Sequence, residues 1–282
     1  MAIYEVDGYK FLDSYEKCIV MEEGKVEETI EYMVTNGIKS LYLCDFYFFG
    51  STIDFLQKLD FIERLNISCS YIKDFQGLQY LKKLKCLLLN EPKTKIDFEM
   101  IPTLTELWVV MNKNVVGLEK LKKLKILGIW KYNPSSKSLI ELRKLNELEE
   151  LKITTSSIHS LDGCGELTKL RKLELSYLKN LNDIKELEKL SNSLKHLEVS
   201  SCKKVINHEF VVCLKNLEWL SFNECSDMKN INFINDMPNL KKFIFMNTNI
   251  LDGNVEPCRR LEYTAFTNKR HFSSKCEEFY KK

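Results

Sequence analysis

The residues of this sequence that could do chemistry are its ten cysteines, four histidines and three tryptophans, and only the tryptophans fall in a pattern that points to a site. The cysteines are Cys18, Cys44, Cys69, Cys86, Cys164, Cys202, Cys213, Cys225, Cys258 and Cys276, and no two form a C-x-x-C pair. The histidines, His159, His196, His208 and His271, show no H-x-x-x-H spacing. His208 with Cys202 and Cys213 is the one grouping that suggests a metal, but its spacing fits no standard zinc-ligand pattern. The glycines of Gly163-Cys164-Gly165 stand alone, so they form neither a phosphate-cradling loop nor a dinucleotide fingerprint. No G-x-S-x-G elbow occurs. The expectation is a non-enzymatic chain without metal or cofactor. Scattered cysteines used as small apolar fillers fit a reducing cytoplasm better than a disulfide framework.

Charge narrows the partners. The 42 basic and 40 acidic residues leave a formal net charge of +2, so no global field drives the chain onto nucleic acid or an anionic membrane. Lysines do recur at one phase: Lys82, Lys83 and Lys85, then Lys120, Lys122, Lys123 and Lys125, then Lys169, Arg171 and Lys172, then Lys241 and Lys242. Stacked, they would make a basic edge for a polyanion or nucleic acid. Glu119, Glu166, Glu174 and Glu218 interrupt it, which favours a solvated edge. No run of 18 apolar residues predicts a membrane span, and Met1 to Lys10 lack the pattern of a secretory signal.

The elements that position these residues come from a repeat. One phrase recurs: an apolar residue, two variable residues, Leu, one variable residue, an apolar residue. Its copies include IKSLYL from Ile38, LTELWV from Leu104, LRKLEL from Leu170 and CRRLEY from Cys258. The central residues are Leu41, Leu65, Leu87, Leu107, Leu127, Leu151, Leu173, Leu197, Leu220, Phe243 and Leu261, spaced by 24, 22, 20, 20, 24, 22, 24, 23, 23 and 18. A heptad helix gives no such period. Each L-x-L reads as a short strand with leucines inward and the intervening residue outward. One such unit cannot bury its apolar face alone, so the units must stack. The position three residues after the second apolar residue holds Ser70, Asn112, Ser156, Cys202, Cys225 and Thr248, polar groups suited to the turn out of the strand. Cys202 and Cys225 are therefore read as turn residues.

This period and phrase match the leucine-rich-repeat template. The stretches IHSLDGCGELTKLRKLEL (Ile158 to Leu175) and IKDFQGLQYLKKLKCLLL (Ile72 to Leu89) resemble the 22-residue internalin-type subclass. The resemblance implies an α/β solenoid: a curved horseshoe of about eleven repeats with a parallel sheet on the concave face. It further implies short 3₁₀ or helical turns on the convex side and protein recognition on the concave one. Cys164 falls where the pattern expects a buried aliphatic residue. The expected boundaries are an N-terminal cap of hairpin plus helix at 1–37, repeats at 38–263 and a C-terminal cap or tail at 264–282. Asp7-Gly8 is the hairpin turn, Val26 to Val34 has helical spacing, and Phe266 and Phe272 are expected to cover the last repeat.

Three variable positions per phrase face the concave side. In the middle repeats they read Cys86, Leu88, Asn90; Glu106, Trp108, Val110; and Ile126, Gly128, Trp130. This apolar, aromatic group at solvent positions points to an interaction site, with Trp108 and Trp130 as anchors. Further along come Glu150 and Lys152, Lys172 and Glu174, His196 and Glu198, Trp219 and Ser221, then Lys242 and Ile244. The partner-binding set is thus Leu88, Trp108, Val110, Ile126, Trp130, Glu150, Lys152, Glu174 and Trp219. The functional expectation is a protein-interaction module, in its sharper form an inhibitor or immunity-type protein. The alternative is a polyanion or nucleic-acid binder using the lysine edge.

Overall fold

Leucine at alternate positions of a short extended segment puts one face of that segment under cover. In a computed structural model of the protein, the phased residues from Leu41 to Phe243 lie on such strands and are almost fully buried. The structure describes residues 2–13 and 17–280. Residues 1 and 14–16 of the expected first cap, and 281–282 of the expected tail, lie outside the described residues. The chain divides into two compact units, Met1–Ile129 and Trp130–Lys282.

In the first unit, β1 (Ile3–Val6) and β2 (Tyr9–Leu12) pair antiparallel. Asp7 and Gly8 between them both have positive φ, 54° and 79°, as a tight two-residue hairpin turn needs. β3 (Cys18–Val20) is antiparallel to β2 and parallel to β4 (Ser40–Cys44). Between β3 and β4 runs α1 (Val26–Asn36), closed by Gly37 in the left-handed conformation with its N–H on the carbonyls of Met33 and Val34. β5 (Arg64–Ser68), β6 (Cys86–Leu89) and, after the two-residue β7 (Ile96–Asp97), β8 (Glu106–Val110) continue the parallel sheet. Leu41, Leu65, Leu87 and Leu107 stand side by side in it. β7 pairs separately with β9 (Val115–Val116). The returns are 3₁₀ turns at Asp54–Lys58, Gln76–Tyr80, Phe98–Met100 and Leu118–Lys120. β10 (Ile126–Tyr132) begins in this unit and ends in the next.

In the second unit β11 (Glu150–Ser156), β12 (Lys172–Ser176), β13 (His196–Ser200), β14 (Trp219–Asn223), β15 (Lys242–Phe245) and β16 (Tyr263–Phe266) form a parallel sheet. Its returns are again 3₁₀ turns, from Ile140–Leu142 to Glu256–Arg260. Strand, turn and 3₁₀ return, repeated in this way, make the expected α/β solenoid in each unit. Cys164 is fully buried, and burial pushes its thiol up to about 12, as suits a filler.

Two registers differ from the sequence reading. Phe243 pairs with Thr264, not Leu261. The last phrase is therefore LEYTAF from Leu261, shifted by three residues. The shift is possible because Thr264 buries its methyl while its hydroxyl donates to the Phe243 carbonyl at 2.9 Å. Phe266 is accordingly a strand residue stacked on Phe245, with centroids 4.8 Å apart, and Phe272 packs against both rings. At the other end, Ile19 pairs with Leu41. One more strand in phase thus precedes the first phrase, with a helix rather than a 3₁₀ turn as its return.

A backbone device repeats four residues beyond the central position. Lys131, Thr155, Tyr177, Ser201, Glu224 and Asn247 all have φ between 52° and 60°. This left-handed residue breaks the in–out alternation, so the next side chain turns inward instead of outward. Four of the six inward residues satisfy carbonyls, while Tyr132 and Leu178 fill the core instead. Ser156 donates to Tyr132, Cys202 to Leu175 at 3.7 Å, Cys225 to Val199 at 3.4 Å and Thr248 to Phe222 at 2.6 Å. In the first unit Asn112 Nδ2 donates to the Pro92 carbonyl at 2.9 Å. Ser70, by contrast, is held through its backbone N–H on Asp45.

Candidate binding face

In the first unit, alternation brings Leu88, Trp108, Val110 and Ile126 to one face of the sheet, each half-buried. Leu88 and Trp108 are register partners. Trp108 does not stand free. Its Nε1 donates to Glu106 Oε1 at 2.7 Å, and its ring lies over Gly128, where an added Cβ would meet Cε3 at 2.0 Å. Glu106 also pairs with Arg64 at 3.4 Å, and Arg64 in turn donates to Cys86 Sγ at 2.9 Å. Cys86 and Gly128, read from the sequence as solvent positions, are buried because Arg64 and Trp108 fold over them.

Trp130 is half-buried and belongs to the second unit, as do Glu150, Lys152, Glu174 and Trp219. The strands there present two rows. One runs Glu150, Lys172, His196, Trp219, Lys242; the other runs Lys152, Glu174, Glu198, Ser221, Ile244. In the first row the Trp219 indole stacks on His196, and Lys242 Nζ sits 4.9 Å from the indole ring on a cation–π contact. Lys195, His196, Glu218, Trp219, Lys241 and Lys242 line a shallow depression of 280 Å³. Nε1 of Trp219 and Nε2 of His196 are shielded from solvent without a hydrogen-bond partner among the described residues. In the second row Glu174 bridges Lys152 at 2.8 Å and Lys172 at 2.7 Å. Burial pushes the Glu174 carboxyl up, but the two ammonium groups outweigh it and hold the pKa below its ordinary value. Burial, helped by Lys172, lowers that of His196.

His196 and Lys242 complete the surroundings of Trp219, yet the sequence reading placed them on the face without assigning them to the site. Their signal was the shared phase of three consecutive repeats. Part of the lysine edge is matched by acids: Lys85, Lys169, Lys172 and Lys241 pair with Glu63, Glu147, Glu174 and Glu218. Glu63 lies between Lys39 (2.7 Å) and Lys85 (2.5 Å), which pull its carboxyl down to about 2. Glu218 lies between Lys195 (3.3 Å) and Lys241 (2.7 Å), and Lys169 pairs with Glu147 at 2.7 Å.

The phased strands, 3₁₀ returns and turn residues can be compared with known proteins. The profile of the family described as At1g61320/AtMIF1, LRR domain, matches residues 111–278. The chain belongs to this leucine-rich-repeat family. Among solved structures, the leucine-rich-repeat chain is similar to an internalin (InlF) of Listeria monocytogenes, with 20% identity and a TM-score of 0.57, covering 82% of this chain and 73% of that one. It is also similar to the functional domain of InlJ of the same species, described as including a cysteine ladder, with 16% identity and a TM-score of 0.52 over 80% of this chain. It spans about half of that InlJ chain, 53%. These likenesses are of fold. No curated protein matches the sequence. Among the described residues, no helix of this leucine-rich-repeat protein is long and apolar enough to cross a membrane.

Proposed function

We propose that this leucine-rich-repeat protein binds protein through the exposed strand face of its second unit, with Trp219 as the anchor, and that the strand face of its first unit offers Trp108 as a separate contact. The observation that carries the reading is the setting of Trp219. It is a half-exposed indole braced by His196 and Lys242, with an N–H that has no partner among the described residues. Tryptophan is enriched among residues that dominate binding energy, and the partly exposed indole offers a partner apolar area on a side chain already held in place. Leu88, Val110 and Ile126 add apolar area around Trp108, Trp130 adds a further half-exposed indole, and Glu150, Lys152 and Glu174 supply orienting charge. Strands fixed by a shared core require little reordering on binding. The sharper form of the proposal is an inhibitor or immunity-type protein that occludes its partner's working surface. The matched charges at the lysine edge weigh against the polyanion alternative, since Glu63, Glu147 and Glu218 already neutralise several lysines there.

The test is capture of partners from native lysate on immobilised wild type, Trp219→Ala, Trp108→Ala and a Lys169→Glu, Lys241→Glu double variant, identified by mass spectrometry at low and high salt. A protein held by wild type and lost from the folded Trp219→Ala variant, with weak salt dependence, supports the proposal. Identical sets from wild type and both tryptophan variants would overturn it. Steep loss with salt that follows the lysine variant would move the function to a polyanion.

A further inference from the structure

Next to Trp219 the second unit brings together three side chains that share one chemistry. Glu174 on β12 and Glu198 on β13 are register partners on the same face. His196 stands two residues before Glu198 on the same strand, and so also on that face. One ligand atom from each of Glu174, His196 and Glu198 lies within 4.8 Å of the others, and His196 Nε2 is 4.0 Å from Glu198 Oε2. Donors around a tetrahedral zinc at ~2.0–2.2 Å are roughly 3.4 Å apart, so closure requires side-chain movements of about an ångström and none of the backbone.

We propose that Glu174, His196 and Glu198 form a site for a divalent transition metal of the zinc type, leaving its remaining positions to water or to a partner's donor. Three observations support this beyond the presence of carboxylates. The imidazole nitrogen facing Glu198 has no hydrogen-bond partner among the described residues, so no protein bond holds the proton on it and the tautomer that ligates through Nε2 costs no hydrogen bond there. The ring is held by stacking on Trp219, which fixes the direction of Nε2 before any ion arrives. The donor set, one imidazole and two carboxylate oxygens, suits zinc, cobalt or nickel rather than the all-oxygen shell of calcium or magnesium.

The lysines set the strength. Lys152 and Lys172 each occupy one oxygen of Glu174. A carboxylate offers about four lone-pair sites, so both oxygens can still ligate. The two ammonium groups nevertheless offset the two carboxylate charges. The site should therefore bind in the micromolar range, well below the affinity of a closed structural zinc site. The proposal stands independently of whether the face binds a protein.

Isothermal titration of chelator-treated protein with zinc sulfate tests it, with circular dichroism confirming the fold of each variant. The expected result is one zinc per chain, weakened at least tenfold in His196→Ala and in Glu198→Gln. Cobalt chloride gives the second measurement. An ion on His196 lies within a few ångströms of the Trp219 indole, so cobalt should quench tryptophan emission in wild type, and the quenched component should disappear in Trp219→Phe. Absence of saturable binding up to about 1 mM zinc would overturn the proposal. So would unchanged binding in His196→Ala, which would assign the ion to another histidine, or quenching that persists in Trp219→Phe.

Discussion

The ring of Trp108 lies so close over Gly128 that a Cβ there would sit 2.0 Å from Cε3 and 2.4 Å from Cζ3. The glycine is required by contact, not by a left-handed backbone. Gly128→Ala must then either expel the indole from its place or strain the strand, a kind of overpacking that costs roughly 1–3 kcal/mol. Urea unfolding should show a lower midpoint with an unchanged slope, and the tryptophan emission should shift to the red as Trp108 leaves its bond to Glu106. A midpoint and spectrum equal to wild type would show that the indole is not held there.

The left-handed spine predicts stabilising changes. Thr155 has a φ of 60°, a conformation a β-branched residue adopts at a cost of about 1–2 kcal/mol, and its side chain is exposed. Thr155→Gly relieves that strain while adding backbone entropy to the unfolded chain, for a net gain of about 0.5 kcal/mol. Thr155→Asn should gain a similar amount, because asparagine tolerates this region. Denaturation midpoints of the two variants against wild type decide it; a loss of stability in both would sink the strain argument.

What the sequence made legible follows from where it is redundant. The apolar phase appears ten times from Leu41 to Phe243, so those strands, their period and their inward faces could be read from the sequence. The left-handed spine was hidden because none of Lys131, Thr155, Tyr177, Ser201, Glu224 or Asn247 is a glycine. The core forces that conformation on ordinary residues, since the following side chain, Tyr132, Ser156, Leu178, Cys202, Cys225 or Thr248, must turn into the interior. The last register was misread because a hydrogen-bonded threonine, Thr264, stands where leucine was expected. β3 was missed because its return is helical. At the candidate site, the alternation of each strand leaves Leu88, Trp108 and Trp219 half-buried beside fully buried neighbours. Long-range side-chain contacts, such as Arg64 over Cys86, left no local trace.

The turn residues are predicted to be energetically unequal. Thr248 is buried, accepts from the Cys225 N–H at 3.0 Å and donates to the Phe222 carbonyl at 2.6 Å. Thr248→Val keeps the shape but strands both backbone groups, each worth about 1–3 kcal/mol when buried and unpaired. Cys225→Ala loses only a weak S–H donor to the Val199 carbonyl and a small packing volume. Unfolding free energies should therefore drop more for Thr248→Val than for Cys225→Ala; the reverse order would show that the hydroxyl bonds contribute little.

His208 gives the second unit a pH dependence whose sign can be worked out. Its ring is 1% exposed, packed edge-on against Phe222 at 4.9 Å, with Ser226 Oγ 3.5 Å from Nε2. Burial pushes its pKa from 6.5 down to about 4, only partly opposed by Glu209. Above pH ~6.5 the imidazole is neutral in both folded and unfolded chains and costs nothing. As the pH falls from 6.5 towards 4, the unfolded chain takes the proton first, so stability drops, by up to about 3 kcal/mol at the lower end. Below that the native histidine must charge within an apolar setting that cannot solvate it. His208→Leu removes the proton from the balance. Its stability should fall less steeply than wild type between pH 7 and pH 4.5, although it starts lower by whatever the Ser226 contact contributes. Chemical denaturation at three pH values in that window checks this, and parallel curves for the two proteins would mean that the histidine is already solvated in the folded state.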